Sequence, residues 1–367
     1  MLLVRALRDP AGTTALDGDG WTRLIALARA EQLAGTLAQR VRGLPKPPAA
    51  QRLLAAASAS AEQGRVQALW EAEMARRALA PLGLPVVLLK GTAYVAVGLT
   101  AGQGRSIGDL DILVPRDRIG DVETALLASG WEWVKPDPYD DAYYRQWMHE
   151  LPPLIHRERD RMIDVHHTVL PLTARITPDA GAMLADAVMV RDGMAVLSGD
   201  DMICHSAAHL FADGDLAGGL RNLWDLHCLF AEVATPALWD RARMHGLEAA
   251  VARALRLAGA LYGVDASSPP CPLPSSPRRR GPILADLTER AAHPATIDPR
   301  LRGDDVRLGL SDRLYARRLL ARDGWGRATR PGTRFAFFVR SHWLRMPPAM
   351  LARHLVTKWR KGHRASG

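Results

Sequence analysis

The chain has 367 residues, 48% hydrophobic and 24% charged. That is enough to bury two or three packed units, and it excludes collagen-like and wholly disordered classes. The net charge of +9 is local: residues 276–367 hold 21 Lys/Arg against 7 Asp/Glu, and the preceding 275 hold 27 against 32.

Three cysteines, Cys204, Cys228 and Cys271, stand far apart with no CxxC pair, so neither a disulfide framework nor a cysteine zinc site is expected. The opening MLLVRALRDPAG has too short an apolar stretch for a signal peptide. No apolar run approaches the ~20 residues of a membrane helix. These features predict a cytoplasmic protein with no membrane span.

Residues 1–80 place Trp21, Leu24, Ile25 and Ala28, and later Leu53, Leu54 and Ala57, at helical spacing, which predicts two to four helices broken near GLPKPP at 43–48. The pattern then changes. PLGLPVVLLKG (81–91) reads as a turn and a short apolar strand ending in Lys90-Gly91, and DLDILV (109–114) as a second strand. VETALLASGW (122–131) is helical and closed by Gly130, and PLIHRERDRMIDVHHTV (153–169) is two strands joined by a charged turn. This order gives an α+β class: a small mixed β-sheet core over 81–177.

From about 178 to 265 the period is helical again, with Asp200 or Asp201 as the expected N-cap of DDMICHSAAHLFADGD. The i, i+4 pair His205 and His209 is read as helix-face packing, Arg221 and Asp225 as an i, i+4 partnership, and Leu223, Trp224 and Leu226 as core. Residues 266–310 are dense in Pro, Ser and Arg and too poor in apolar residues for a core, which predicts a disordered insertion. Residues 311–367 form a basic, amphipathic, helical tail, broken at Pro347-Pro348.

Asp109 and Asp111 pose the chemical question. Alternation puts them on one face of an apolar strand. Two like charges so close need a cation, a shared proton or open water. Asp164, flanked by Met162, Ile163 and Val165, supplies a third carboxylate if its strand lies beside DLDILV. Three such groups suit divalent cations with room left for phosphate oxygens. His166 shares a face with Asp164, His167 points the other way, and HELPPLIH around His149 is not the HExxH zinc motif.

The succession KGT, GDLDILV and IDVH resembles the polymerase-β-type nucleotidyltransferase superfamily. More narrowly it resembles a bacterial family of uncharacterised nucleotidyltransferases, over about residues 84–230 and again at RSHWLRMP near the C-terminus. The resemblance implies a nucleotidyltransferase core flanked by N- and C-terminal helical regions. It implies that Asp109 and Asp111 hold Mg²⁺ (or Mn²⁺) and that Asp164 completes the site and acts as, or orients, the general base. Gly91 and Thr92 would hold the terminal phosphates, Lys90 and Arg105 are further phosphate contacts by charge, and His166 is a neighbour of the metal or acceptor.

The implied reaction moves a nucleoside monophosphate from an NTP, most simply ATP, to an acceptor hydroxyl with release of pyrophosphate. The acceptor stays open among small molecule, protein and RNA. Two other readings stand beside it: a metal-dependent phosphotransferase on the same residues, and a non-catalytic nucleic-acid-binding protein using the basic tail with Trp325, Trp343 and Trp359.

Overall fold

A computed structural model describes residues 1–135, 137–263 and 308–345. The expected insertion lies outside the described residues except for its last three positions. So do Cys271, Trp359 and the tail beyond Arg345.

Four helices precede the first strand: α1 (Leu2–Arg8), α2 (Gly18–Ala30), α3 (Ala34–Arg40) and α4 (Pro48–Leu79). Asp17 caps α2 by accepting from the Gly20 N–H at 2.7 Å, and Trp21, Leu24, Ile25 and Ala28 turn one buried face inward. GLPKPP separates α3 from α4 as expected, with Pro48 in the first turn, where a missing N–H costs nothing.

The sheet has seven strands in the order β3-β4-β5-β2-β1-β7-β6. They are β1 (Val86–Leu88), β2 (Leu110–Leu113), β3 (Trp131–Trp133), β4 (Leu154–His156), β5 (Met162–His166), β6 (Val188–Arg191) and β7 (Met194–Val196). It is mixed: β1 runs antiparallel to β2 and parallel to β7, and β2 runs parallel to β5. All side chains of β1 and β2 are buried, as their central places require. Helices α5 (Lys90–Val97), α6 (Ile119–Ala128) and α7 (Pro138–Trp147) fill the intervals between β1 and β4.

The segment after 178, read as helical throughout, is not. After a short α8 (Ala180–Ala185) it forms the β6–β7 hairpin, and β7 joins the sheet beside β1. The hairpin turns at Asp192-Gly193, with Gly193 at φ +71°, a left-handed conformation that glycine adopts without a Cβ penalty. Helices resume with α9 (Gly199–Ala208), α10 (Gly219–Glu232), α11 (Leu238–Met244) and α12 (Glu248–Tyr262). The N-cap of α9 is Ser198 rather than Asp200 or Asp201. Asp201 is held by Arg241 at 2.6 Å and His245 at 3.0 Å, and Asp200 accepts from the Thr235 N–H at 2.9 Å.

The described tail is helical in α13 (Leu310–Leu319) and α14 (Pro331–Arg345). One continuous core runs from Leu3 to Phe337 and takes in the sheet, with Leu223, Trp224 and Leu226 inside it as expected. Among the described residues no helix is long and apolar enough to cross a membrane.

Candidate active site

The site grows from the centre of the sheet. Parallel pairing sets Leu110 beside Ile163, Asp111 beside Asp164 and Leu113 beside His166. The two carboxylates therefore stand abreast on neighbouring strands, and Asp109 joins them from the bend just before β2. One oxygen from each of Asp109, Asp111 and Asp164 lies within 4.8 Å of the others. Asp109 is exposed, Asp111 buried and Asp164 half-buried.

Strand β1 ends at Leu88; the N–H of Leu89, just beyond it, donates to Asp111 O at 3.0 Å, and the next residue is Lys90 at φ +48°. From there Lys90 Nζ donates to Asp111 Oδ1 at 2.6 Å, and His166 Nε2 meets the same oxygen at 3.0 Å. Burial opposes the charge on Asp111, yet Lys90 and His166 together hold its carboxyl well below the usual carboxylate range. Asp164 goes the other way. Burial first, then the Glu150 and Asp111 carboxylates, push it up to about 7, and its Oδ1 is buried with no hydrogen-bond partner.

Gly91 and Thr92 occupy the first turn of α5. A Cβ at Gly91 would overlap Nε of Arg105, so the close approach needs glycine. Arg105 is ion-paired with Asp225, which also accepts from Arg221 Nε at 3.1 Å. The i, i+4 partnership on α10 thus has a third member.

A cleft of about 520 Å³ opens here, lined by Lys90, Gly91, Arg105, Asp109 and Asp111. Thr92, Asp164 and His166 do not line it; Thr92 is only 1% exposed. The far wall comes from the helices: His205, Ser206 and His209 from α9 and the π turn after it, Asn222 and Asp225 from α10, and Gln32 from the α2–α3 connection. His205 and His209, read only as packing, therefore border the cleft. His205 is held neutral by burial and then by the Lys90 cation, with its pKa down to about 3.

Glu150 is the residue that sequence reasoning missed. Backbone bridging of Glu150 to His166 gathers His149, Glu150 and His166, with ligand atoms within 4.8 Å. The available signal was the adjacent His-Glu pair in the segment leading to β4. His167 faces a different cavity, beside Pro115, Leu170 and Leu184. His156 serves the β4–β5 turn, its Nδ1 accepting from the Glu158 N–H at 3.2 Å.

The carboxylate trio fits a divalent cation: hard oxygen donors converge, and one of them is a buried acceptor with no donor. The family described as "Uncharacterised nucleotidyltransferase" matches residues 17–263. No curated protein matches the chain.

Proposed function

The chain belongs to this uncharacterised nucleotidyltransferase family, and we propose that it transfers a nucleoside monophosphate, most simply AMP from ATP, to an acceptor hydroxyl. The observation that carries the reading is the trio Asp109, Asp111 and Asp164, with a buried Asp164 oxygen lacking a donor. These three would hold Mg²⁺ or Mn²⁺. When bound, such ions neutralise triphosphate charge and stabilise the leaving group.

The chain's own residues do the rest. Asp164 takes the proton of the acceptor hydroxyl as its oxygen bonds to the α-phosphorus. The bond from that phosphorus to the β-phosphate oxygen breaks, and pyrophosphate departs. Lys90 and Gly91, in the first turn of α5, offer a cation and a backbone N–H to the outgoing phosphates, with Thr92 buried behind them. Arg105, oriented by Asp225, adds a second cation. A cleft of about 520 Å³ is within the range of sites for small ligands.

The test is label transfer from α-labelled and, separately, γ-labelled ATP with Mg²⁺, using pure protein plus cell extract and an Asp109→Ala/Asp111→Ala control. Incorporation of the α label alone, lost in the control, is expected, and the product's size class identifies the acceptor. Transfer of the γ label with release of ADP would make the protein a phosphotransferase.

A further inference from the structure

The contact between His166 and Asp111 fixes more than one hydrogen bond. With Nε2 3.0 Å from a carboxylate oxygen, the favoured tautomer carries its proton there and leaves Nδ1 as a bare lone pair. That Nδ1 is buried, has no hydrogen-bond partner, and lies 3.5 Å from Glu150 Oε2. His149 Nε2 lies 3.7 Å from the same Glu150 oxygen, and the His149 Nδ1 is likewise buried without a partner. A lone pair of His166 thus faces a carboxylate that His149 Nε2 also approaches, in a nearly closed space. His166 is 2% exposed and His149 8%. A buried imidazole lone pair that faces a carboxylate is stabilised when a cation sits between the two.

We infer that His149, Glu150 and His166 form a second metal site, separate from the carboxylate trio, for a borderline divalent ion such as Zn²⁺. Zn–N and Zn–O bonds of ~2.0–2.1 Å at tetrahedral angles set donors about 3.3 Å apart, and the separations here are 3.5 and 3.7 Å. Two nitrogens and one carboxylate suit such an ion better than Mg²⁺, which prefers an all-oxygen octahedron. The outer partner is present too. Asp111 receives the other N–H of His166, the carboxylate–histidine–metal relay that orients a ligand ring. Three protein ligands leave at least one position for water or a substrate oxygen. Asp111 would then link the two sites, touching one ion directly and the other through His166.

This inference stands without the transfer reaction, and its test reads metal alone. The full chain, stripped with chelator, is titrated with Co²⁺ while visible absorption and equilibrium dialysis are followed. The same is done in an Asp109→Asn/Asp164→Asn background that weakens the trio. One equivalent of Co²⁺ with the strong visible band of a four-coordinate ion is expected in both proteins. Zn²⁺ should displace it and excess Mg²⁺ should not. Glu150→Gln and His149→Ala should each weaken Co²⁺ binding by roughly tenfold or more, with circular dichroism checking that each is folded. Absence of the band from wild-type protein, bleaching of the band by Mg²⁺, or its survival in folded His149→Ala would overturn the proposal. In the first case a proton, not a metal, bridges the donors.

Discussion

Lys90 is a lysine in a conformation that costs a side-chain-bearing residue roughly 1–2 kcal/mol. The surroundings offset that strain with a charge-assisted hydrogen bond to Asp111 at 2.6 Å. Burial alone would lower the ammonium's pKa, but Asp111, backed by Asp109 and Glu150, reverses this and raises it. The lysine therefore occupies the same carboxylate that a divalent ion would use. Lys90→Met should tighten Mn²⁺ binding by roughly tenfold, the scale of one charge-assisted bond, and weaken ATP binding. Calorimetric titration with each ligand checks both halves. Unchanged Mn²⁺ affinity would mean that lysine and metal do not compete.

At the scale of elements, the loop that carries Asp109 into β2 is fastened by glycines. Gly104 has φ +65°, and a Cβ there would overlap the backbone of Gly35 in α3. Gly104→Ala should cost at least ~2 kcal/mol from strain and overlap together, measured by urea unfolding, and should loosen metal binding by displacing the loop. This dependence on a distant helix was not legible in the sequence, since nothing in Gly35 or Gly104 names its partner. The strands around the trio were legible: short apolar runs bounded by turn residues gave β1, β2, β4 and β5, and the carboxylates stood out against them. The β6–β7 hairpin was passed over although Asp192-Gly193 marks its turn, because flanking helical periodicity dominated the window. Glu150, the cleft-lining role of His205, and Ser198 as a cap in place of its acidic neighbours all depend on which side chains other elements bring near.

Across the whole molecule, α10 ties the helical regions to the core. Arg221 reaches Thr36 Oγ1 at 2.6 Å, the Ala101 carbonyl at 3.1 Å and Asp225, which also holds Arg105. Asp225→Asn would leave two enclosed guanidinium groups without their shared anion, and should destabilise the fold by about 3–5 kcal/mol, read from denaturant midpoints. Acid should act globally as well. His205, with a folded pKa of about 3, binds fewer protons than the unfolded chain does below pH ~6.5. Its contribution is full above that value and is lost as pH falls toward 3. His205→Gln should flatten the acid limb of stability against pH, and an unaltered limb would assign acid unfolding to other groups.

The pairing of Asp111 with Asp164 across β2 and β5 has an evolutionary side. Like charges placed directly opposite work against the sheet that displays them, so this stretch of β-sheet is less stable than one built for stability alone would be. Asp164→Asn should raise the melting temperature of metal-free protein by a few degrees while abolishing the proposed transfer, and added Mn²⁺ should narrow the gap by stabilising the parent chain more than the variant. Selection for thermal robustness alone would remove this aspartate; on the proposed reading, its presence marks a place where durability was given up for chemistry.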